Sequence, residues 1–232
     1  KRPKRPTTMS GMASSTVEDY VKAIYLLQQD APTGEATVAR LAATLGVTKG
    51  SVTAMVRKLR DARLANAKRY GGIALTPRGR TLAIDMIRRH RLIEVFLVET
   101  LGFDWSEVHE EAERLEHALS AKVLDRLDAF LNHPEIDPHG DPIPDAKGRL
   151  AASAFTPLGE LATGDRGTVA RIVDQDPEFL AFAAEHGLRP GTTIAVVEVV
   201  DAAGSITVRP HRKPVVTLSQ AAANRIQIEP RG

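Results

Sequence analysis

Residues 38–60 read VARLAATLGVTKGSVTAMVRKLR, and this stretch decides the fold. Its apolar residues fall into two sets at helical spacing: Val38, Leu41 and Leu45 before Gly46, then Val52, Met55, Val56 and Leu59. Gly46 can take the left-handed conformation that a tight interhelical turn requires, and Thr48 is placed to cap the second helix. The pattern predicts a helix-turn-helix. The turn alone does not distinguish it from other helical hairpins, but the second helix also carries Lys49, Ser51, Thr53, Arg57, Lys58 and Arg60 on its polar side. Such groups bond phosphates and base edges. Beyond it, residues 64–75 alternate around Gly71-Gly72 as a two-stranded hairpin would, with Lys68, Arg69 and Tyr70 at its tip. The hairpin would be a wing. The candidate DNA contacts are therefore Thr48, Lys49, Gly50, Ser51, Ala54, Arg57, Arg60, Lys68 and Arg69.

Working outward, residues 1–13 form a basic arm without periodicity, expected to be mobile. Ser15 and Glu18 have capping-box spacing ahead of Val17, Val21 and Ile24, which predicts a helix ending before Pro32, with Asp19 in its first turn. Thr76-Pro77 opens a long helix to Gly102, and a second helix is expected from Ser106 to about Leu131. The proline-rich run from His133 to Pro144 cannot be helix or central strand. Past a linker at 151–158, short β-rich runs at 168–173, 193–200, 205–208, 215–218 and 225–228, with one helix near 177–186, predict a small SH3-like barrel. The expected organisation is a mainly α chain with a β module at its end: a winged-helix domain at 14–76, a helical domain at 77–150 and the barrel at 159–232.

Charge is unevenly spread. Residues 1–80 hold 15 Lys/Arg against 5 Asp/Glu, residues 81–160 hold 8 against 16, and residues 161–232 hold 8 against 8. A basic first third and an acidic middle suggest one module for a polyanion and another for cations or a partner. No cysteine is present, so disulfides, thiolate nucleophiles and Cys-ligated metals are excluded. No run is long and apolar enough for a membrane helix, and a cytoplasmic protein is expected.

The acidic middle carries the chemistry. His109, Glu113, Glu116 and His117 share one face of the expected helix, beside its apolar stripe of Val108, Ala112, Leu115 and Leu119. His90 and Glu94, four apart, form a second pair. Carboxylates bordering a buried surface raise one another's pKa or recruit a cation, and a divalent metal would satisfy both pairs. An ordinary salt-bridged acidic helix is the alternative. His133, His139, His186 and His211 read as structural or solvated. A metalloenzyme finds no support, since no His-Glu-x-x-His, nucleophile elbow, P-loop or dinucleotide fingerprint occurs.

From Ser15 onward the chain resembles the diphtheria-toxin-repressor and manganese-transport-regulator family of metal-dependent repressors. The resemblance rests on Val17-Glu18-Asp19-Tyr20, the helix-turn-helix and hairpin, Arg89-His90-Arg91-Leu92, the run from Val108 to His117, and Pro138-His139-Gly140-Asp141-Pro142-Ile143-Pro144. It implies a homodimer that binds a near-palindromic duplex DNA operator, with metal as corepressor and a C-terminal barrel like that of an iron-transport accessory protein. Carried over by position, the primary metal site falls on Asp19, Glu113, Glu116 and His117. The ancillary site falls on His90, Glu94 and His109, with Asp176 and Glu178 from the barrel. Lys22 stands where two-domain manganese regulators carry an acidic ligand, which argues against their closely spaced binuclear site. Iron-responsive relatives place methionine and cysteine where this chain has Asp19 and Glu113, so the resemblance points to manganous ion, with ferrous ion as the alternative.

Overall fold

A computed structural model describes residues 14–29, 35–67, 72–150, 155–173 and 176–230. The chain divides into two compact units between Met86 and Ile87, within one helix.

In the first unit, α1 (Ser15–Gln29) buries Val17, Val21 and Ile24. The Ser14 carbonyl accepts from the Val17 and Glu18 N–H groups, so Ser15 lies inside the first turn and not at the cap position that the expected Ser15–Glu18 capping box requires. β1 (Ala36–Thr37) leads into α2 (Val38–Thr44), whose Arg40 N–H is capped by the Thr37 hydroxyl. Gly46, at φ +62°, makes the turn to α3 (Lys49–Asp61). Thr48 caps α3 by accepting from the Ser51 N–H at 3.1 Å. Leu41, Val52 and Leu59 have no exposure and join the helices to a three-stranded sheet of order β1-β3-β2, with β2 (Ala65–Ala67) and β3 (Gly72–Leu75) forming the expected hairpin. Its tip, with Lys68, Arg69 and Tyr70, lies outside the described residues. Thr76 opens α4 (Pro77–Glu99) by accepting from the Gly79 N–H and donating to the Arg63 carbonyl.

In the second unit, the single helix expected from Ser106 to Leu131 is two: α5 (Val108–Leu115) and α6 (Ala121–Phe130). Local bonding breaks it, because Ser120 is extended and its hydroxyl caps the Val123 N–H, while Glu116 closes α5. The break lets each helix pack on its own stripe of α4: Val108 and Ala112 against Ile93 and Leu97, and Leu124 against Leu92 and Val95.

The barrel contains β4 (Thr156–Pro157), β5 (Arg166–Ile172), α7 (Pro177–Glu185), β6 (Thr193–Val200), β7 (Ser205–Pro210), β8 (Val216–Ser219), α8 (Gln220–Ala223) and β9 (Ile226–Pro230). Its antiparallel sheet runs β4-β9-β5-β6-β7-β8, one strand more than the five expected. The extra strand and the buried Leu158 occupy the end of the expected linker. The barrel is not separate from the helical region: Trp105, between α4 and α5, belongs to its core with Leu158, Leu180, Leu188 and Ile194. Arg189 lies over the indole at 4.9 Å. No helix among the described residues is long and apolar enough to cross a membrane.

Trp105→Ala should therefore destabilise the second unit by about 3 kcal/mol, the range for emptying a large aromatic site. Chemical denaturation checks this. Truncation after Leu150 should move Trp105 emission to longer wavelength, because the indole loses its barrel contacts.

Candidate metal centre

His90 and Glu94 lie one turn apart on α4, and His109 and Glu113 one turn apart on α5, so the two pairs can face each other. His90 is the hub. Its Nδ1 is 2.7 Å from Glu116 Oε2, and its Nε2 is 3.0 Å from both Glu94 Oε1 and His109 Nδ1. Glu113 Oε1 stands 3.8 Å from both His90 Nδ1 and His109 Nε2, and His117 Nε2 is 3.8 Å from Glu116 Oε1. Glu94 and Glu116 are fully buried, while Glu113 and His109 are partly open. The expected primary and ancillary residues of this unit thus form one continuous donor cluster joined through His90. Its break at Glu116 also explains how Glu116 and His117 reach inward at the end of α5.

Asp137 and His139, absent from the expected ligand sets, enter the same cluster from the proline-rich loop. With Glu94 they form a buried trio whose donor atoms lie within 4.8 Å of one another. His139 Nε2 donates to the Trp105 carbonyl at 2.8 Å, which leaves its Nδ1 lone pair facing Glu94 Oε2 at 3.9 Å. Glu94 Oε2, His139 Nδ1 and Asp137 Oδ2 are buried without hydrogen-bond partners. The nearest cation to Asp137 Oδ2 is Arg91 Nε at 3.6 Å. His139 is thus not solvated. Its signal in the sequence was faint, because a histidine in a loop has no periodicity to assign it a face.

The barrel residues expected to join the ancillary site do not gather there. Asp176 caps α7 by accepting from the Glu178 N–H at 3.3 Å, both residues are exposed, and neither enters a group of close donor atoms among the described residues. Asp19 is on α1 in the other unit, half-buried.

The donor set fits a divalent cation. It is built of carboxylate and imidazole, it presents bare buried acceptors to one another, and the groups against Glu94 itself are the imidazoles of His90, His109 and His139. Burial would raise the Glu94 pKa, but the charge of His90 and hydrogen bonds from His109 and His90 hold it below the ordinary carboxylate range. Asp137 moves the other way: burial, then the charges of Asp141 and Glu94, push it well above that range despite Arg91. A cation beside Asp137 would oppose that rise.

On the first unit, Thr48, Lys49, Gly50, Ser51, Thr53, Ala54, Arg57, Lys58 and Arg60 are all exposed on or beside α3. This open, basic helix face is the form in which a helix enters a DNA groove.

Comparison with known proteins agrees with these features. Residues 12–73 match the iron dependent repressor N-terminal DNA binding domain, residues 76–145 the iron dependent repressor metal binding and dimerisation domain, and residues 156–230 the FeoA domain. The iron-dependent repressor IdeR of Mycobacterium leprae is 32% identical over 226 residues, covering 92% of this chain and 96% of that protein. The diphtheria toxin repressor of Corynebacterium diphtheriae is 32% identical over 221 residues, with 92% and 96% covered. The chain belongs to the diphtheria-toxin-repressor family. A solved structure of this kind, described as a manganese-dependent transcriptional repressor complex with manganese, superposes with a TM-score of 0.86 at 38% identity, covering 93% of this chain and 100% of that one. The family is one of metal-dependent transcriptional repressors, not enzymes, and its DNA-binding and dimerisation domains imply DNA and a second copy of the chain as partners.

Asp137→Asn should stabilise the metal-free protein near neutral pH, because it removes a carboxylate that burial and the charges of Asp141 and Glu94 disfavour. A carboxylate whose pKa is raised on folding disfavours the folded state as pH rises above its ordinary unfolded value. The gain should therefore vanish as pH falls below the ordinary carboxylate range, where Asp137 is protonated whether folded or not. Thermal denaturation of the metal-free variant and wild type across that range gives the comparison.

Proposed function

We propose that this protein is a manganese-activated repressor of metal-ion homeostasis genes, with Asp19, Glu113, Glu116 and His117 as its primary ligands and His90, Glu94 and His109 as its ancillary ones. The observation that carries the reading is a donor set of carboxylate and imidazole, with carboxylates at Asp19 and Glu113 and no cysteine in the chain. Hard oxygen donors suit manganous ion, whereas methionine and cysteine shift preference toward iron and later metals. The similarity to a manganese-bound repressor structure supports it. Ferrous ion is the second reading, favoured by the name of the mycobacterial relative and by its higher place in the order of divalent-metal affinities. Glu94 faces both the His90–His109 pair and the Asp137–His139 pair, so an ancillary ion has two adjoining donor sets.

Asp19 belongs to the unit with the helix-turn-helix, and Glu113, Glu116 and His117 to the other. Ionised together, these carboxylates repel. A divalent ion would supply the charge that lets them share a site, and so favour one arrangement of the units over others. In a homodimer, that arrangement sets the spacing of two α3 helices for successive major grooves of a near-palindrome. Lys49, Arg57 and Arg60, with Lys68 and Arg69 of the hairpin, hold phosphates, while Thr48, Gly50, Ser51 and Ala54 lie closest to base edges.

The deciding experiment is anaerobic operator binding titrated with each metal. Manganous ion should activate at lower free concentration than ferrous ion, Asp19→Met with Glu113→Cys should reverse that order, and Glu116→Ala or His117→Ala should abolish activation by either. Activation of wild type by ferrous ion at clearly lower free metal defeats the manganese reading.

DNA affinity should also fall steeply with salt, with a slope near −0.9 in log–log form for each phosphate neutralised. Arg60→Ala should weaken operator and random DNA alike. Ser51→Ala should weaken the operator more. Mobility-shift titrations on both DNAs read the difference, and a flat salt response removes α3 as the DNA-binding element.

A further inference from the structure

Asp137 and His139 reach Glu94 from a loop, so their positions depend on what holds that loop. Part of the answer is internal. Asp137 Oδ1 accepts from the His139 and Asp141 N–H groups at 2.8 and 2.9 Å, and the Ile143 N–H donates to the Glu135 carbonyl at 2.8 Å. These bonds make a tight turn but do not place it against Glu94. Placement comes from outside: the Trp105 carbonyl holds His139 Nε2, and from α4 Arg91 donates to Asp141 Oδ1 at 3.1 Å and to the Pro142 carbonyl.

The remaining contacts come from the barrel, at an irregular point of its sheet. β5 pairs with β9 in register up to Val169 and again from Arg171, leaving Ala170 as the extra residue of a bulge. A bulge re-aims side chains and interrupts the ladder. Here the Ile172 N–H donates to the His139 carbonyl at 2.8 Å, and Arg171 Nη2 reaches Asp141 Oδ1 at 2.7 Å. Gly140, at φ +88°, lies so close that a Cβ on it would collide with the Ala170 carbonyl. The bulge, the glycine and the guanidinium all converge on the residues between Asp137 and Asp141.

Charge explains why the guanidinium is needed. Asp137 and Asp141 are both buried, at 3% exposure each, and Arg91 lies beside both. With Arg171 present, the two loop carboxylates have two guanidinium partners. Without it, Arg91 alone must serve both, and the loop loses its charged tie to the barrel.

We propose that Arg171 is a positioning residue for the Glu94–Asp137–His139 cluster: acting through Asp141, it lets the barrel complete a divalent-cation site without lending it a ligand. This rests on the reading of that cluster as a cation site. It gives the barrel a role in metal binding that Asp176 and Glu178, exposed on and beside α7, do not supply.

The test titrates the metal-free, full-length protein with manganous ion and counts free ion by its electron paramagnetic resonance signal. His139→Ala identifies the class of bound ions that belongs to the cluster. Arg171→Gln should weaken that class by on the order of tenfold, as loss of groups that orient metal ligands does, and leave other bound ions unchanged. Asp141→Asn should produce the same loss, the double variant no more than the larger single loss, and Arg171→Lys should restore most of the affinity. Thermal melts without metal establish that each variant folds. If Arg171→Gln does not fold, the comparison of Arg171→Lys with Asp141→Asn decides, and a folded Asp141→Asn with unchanged affinity overturns the inference. Wild-type affinity in Arg171→Gln, or additive losses in the double variant, overturns the positioning role while leaving the cation site intact. Wild-type manganese binding in His139→Ala overturns the cation site and this inference together.

Discussion

Glu94 is an anionic carboxylate without solvent exposure where α4, α5 and the proline-rich loop meet, and the neighbouring structure answers its need for compensation. An isolated buried charge is far more costly than a protein's net stability allows, so it must be paired, neutralised or bound to a cation. His90, His109 and His139 surround Glu94 on three elements, yet none brings a permanent positive charge. The guanidiniums of Arg91 and Arg171 are engaged one shell out, on Asp137 and Asp141. This division leaves the centre dependent on protons or a metal ion, the property a metal-responsive regulator requires.

That requirement shapes the helices around it. A continuous helix from Ser106 to Leu131 would hold the acidic stripe and the later apolar residues along one axis. The break at Glu116 to Ser120 instead turns Glu116 inward to His90 and frees α6 to pack through Leu124. α6 leaves Val123 and Phe130 exposed in the single chain, apolar surface of the kind a second copy covers, within the region that matches the dimerisation domain.

The barrel shares this organisation. Trp105 contributes its ring to the barrel core while its carbonyl fixes the His139 tautomer, so one residue links the packing of the barrel to the chemistry beside Glu94. The loop between Asp137 and Asp141 does the same through the bulge at Ala170. Contacts of this kind join the barrel to the helices within the second unit, so that barrel packing favours the loop conformation that brings Asp137 and His139 to Glu94.

Much of this was legible in the residues themselves. Periodicity located α1, α2, α3 and α4, glycine and threonine marked the turn and cap of the helix-turn-helix, and the four-residue spacings of His90–Glu94 and His109–Glu113 marked facing pairs, because each signal depends on local geometry repeated along the chain. The break after Glu116 was not legible, since helical periodicity continues across it and a serine's capping role depends on the packing it permits. Nor was the short strand β4, whose two residues acquire their structure from β9. Asp137 and His139 were missed because a loop has no period, and their meeting with Glu94 spans more than 40 residues of chain. Asp176 and Glu178 had the right chemistry, but α7 took Asp176 as its cap and left both exposed. Local pattern determined which elements form. Long-range packing decided which charged groups share a dry space, and a group's pKa and partners depend on that space.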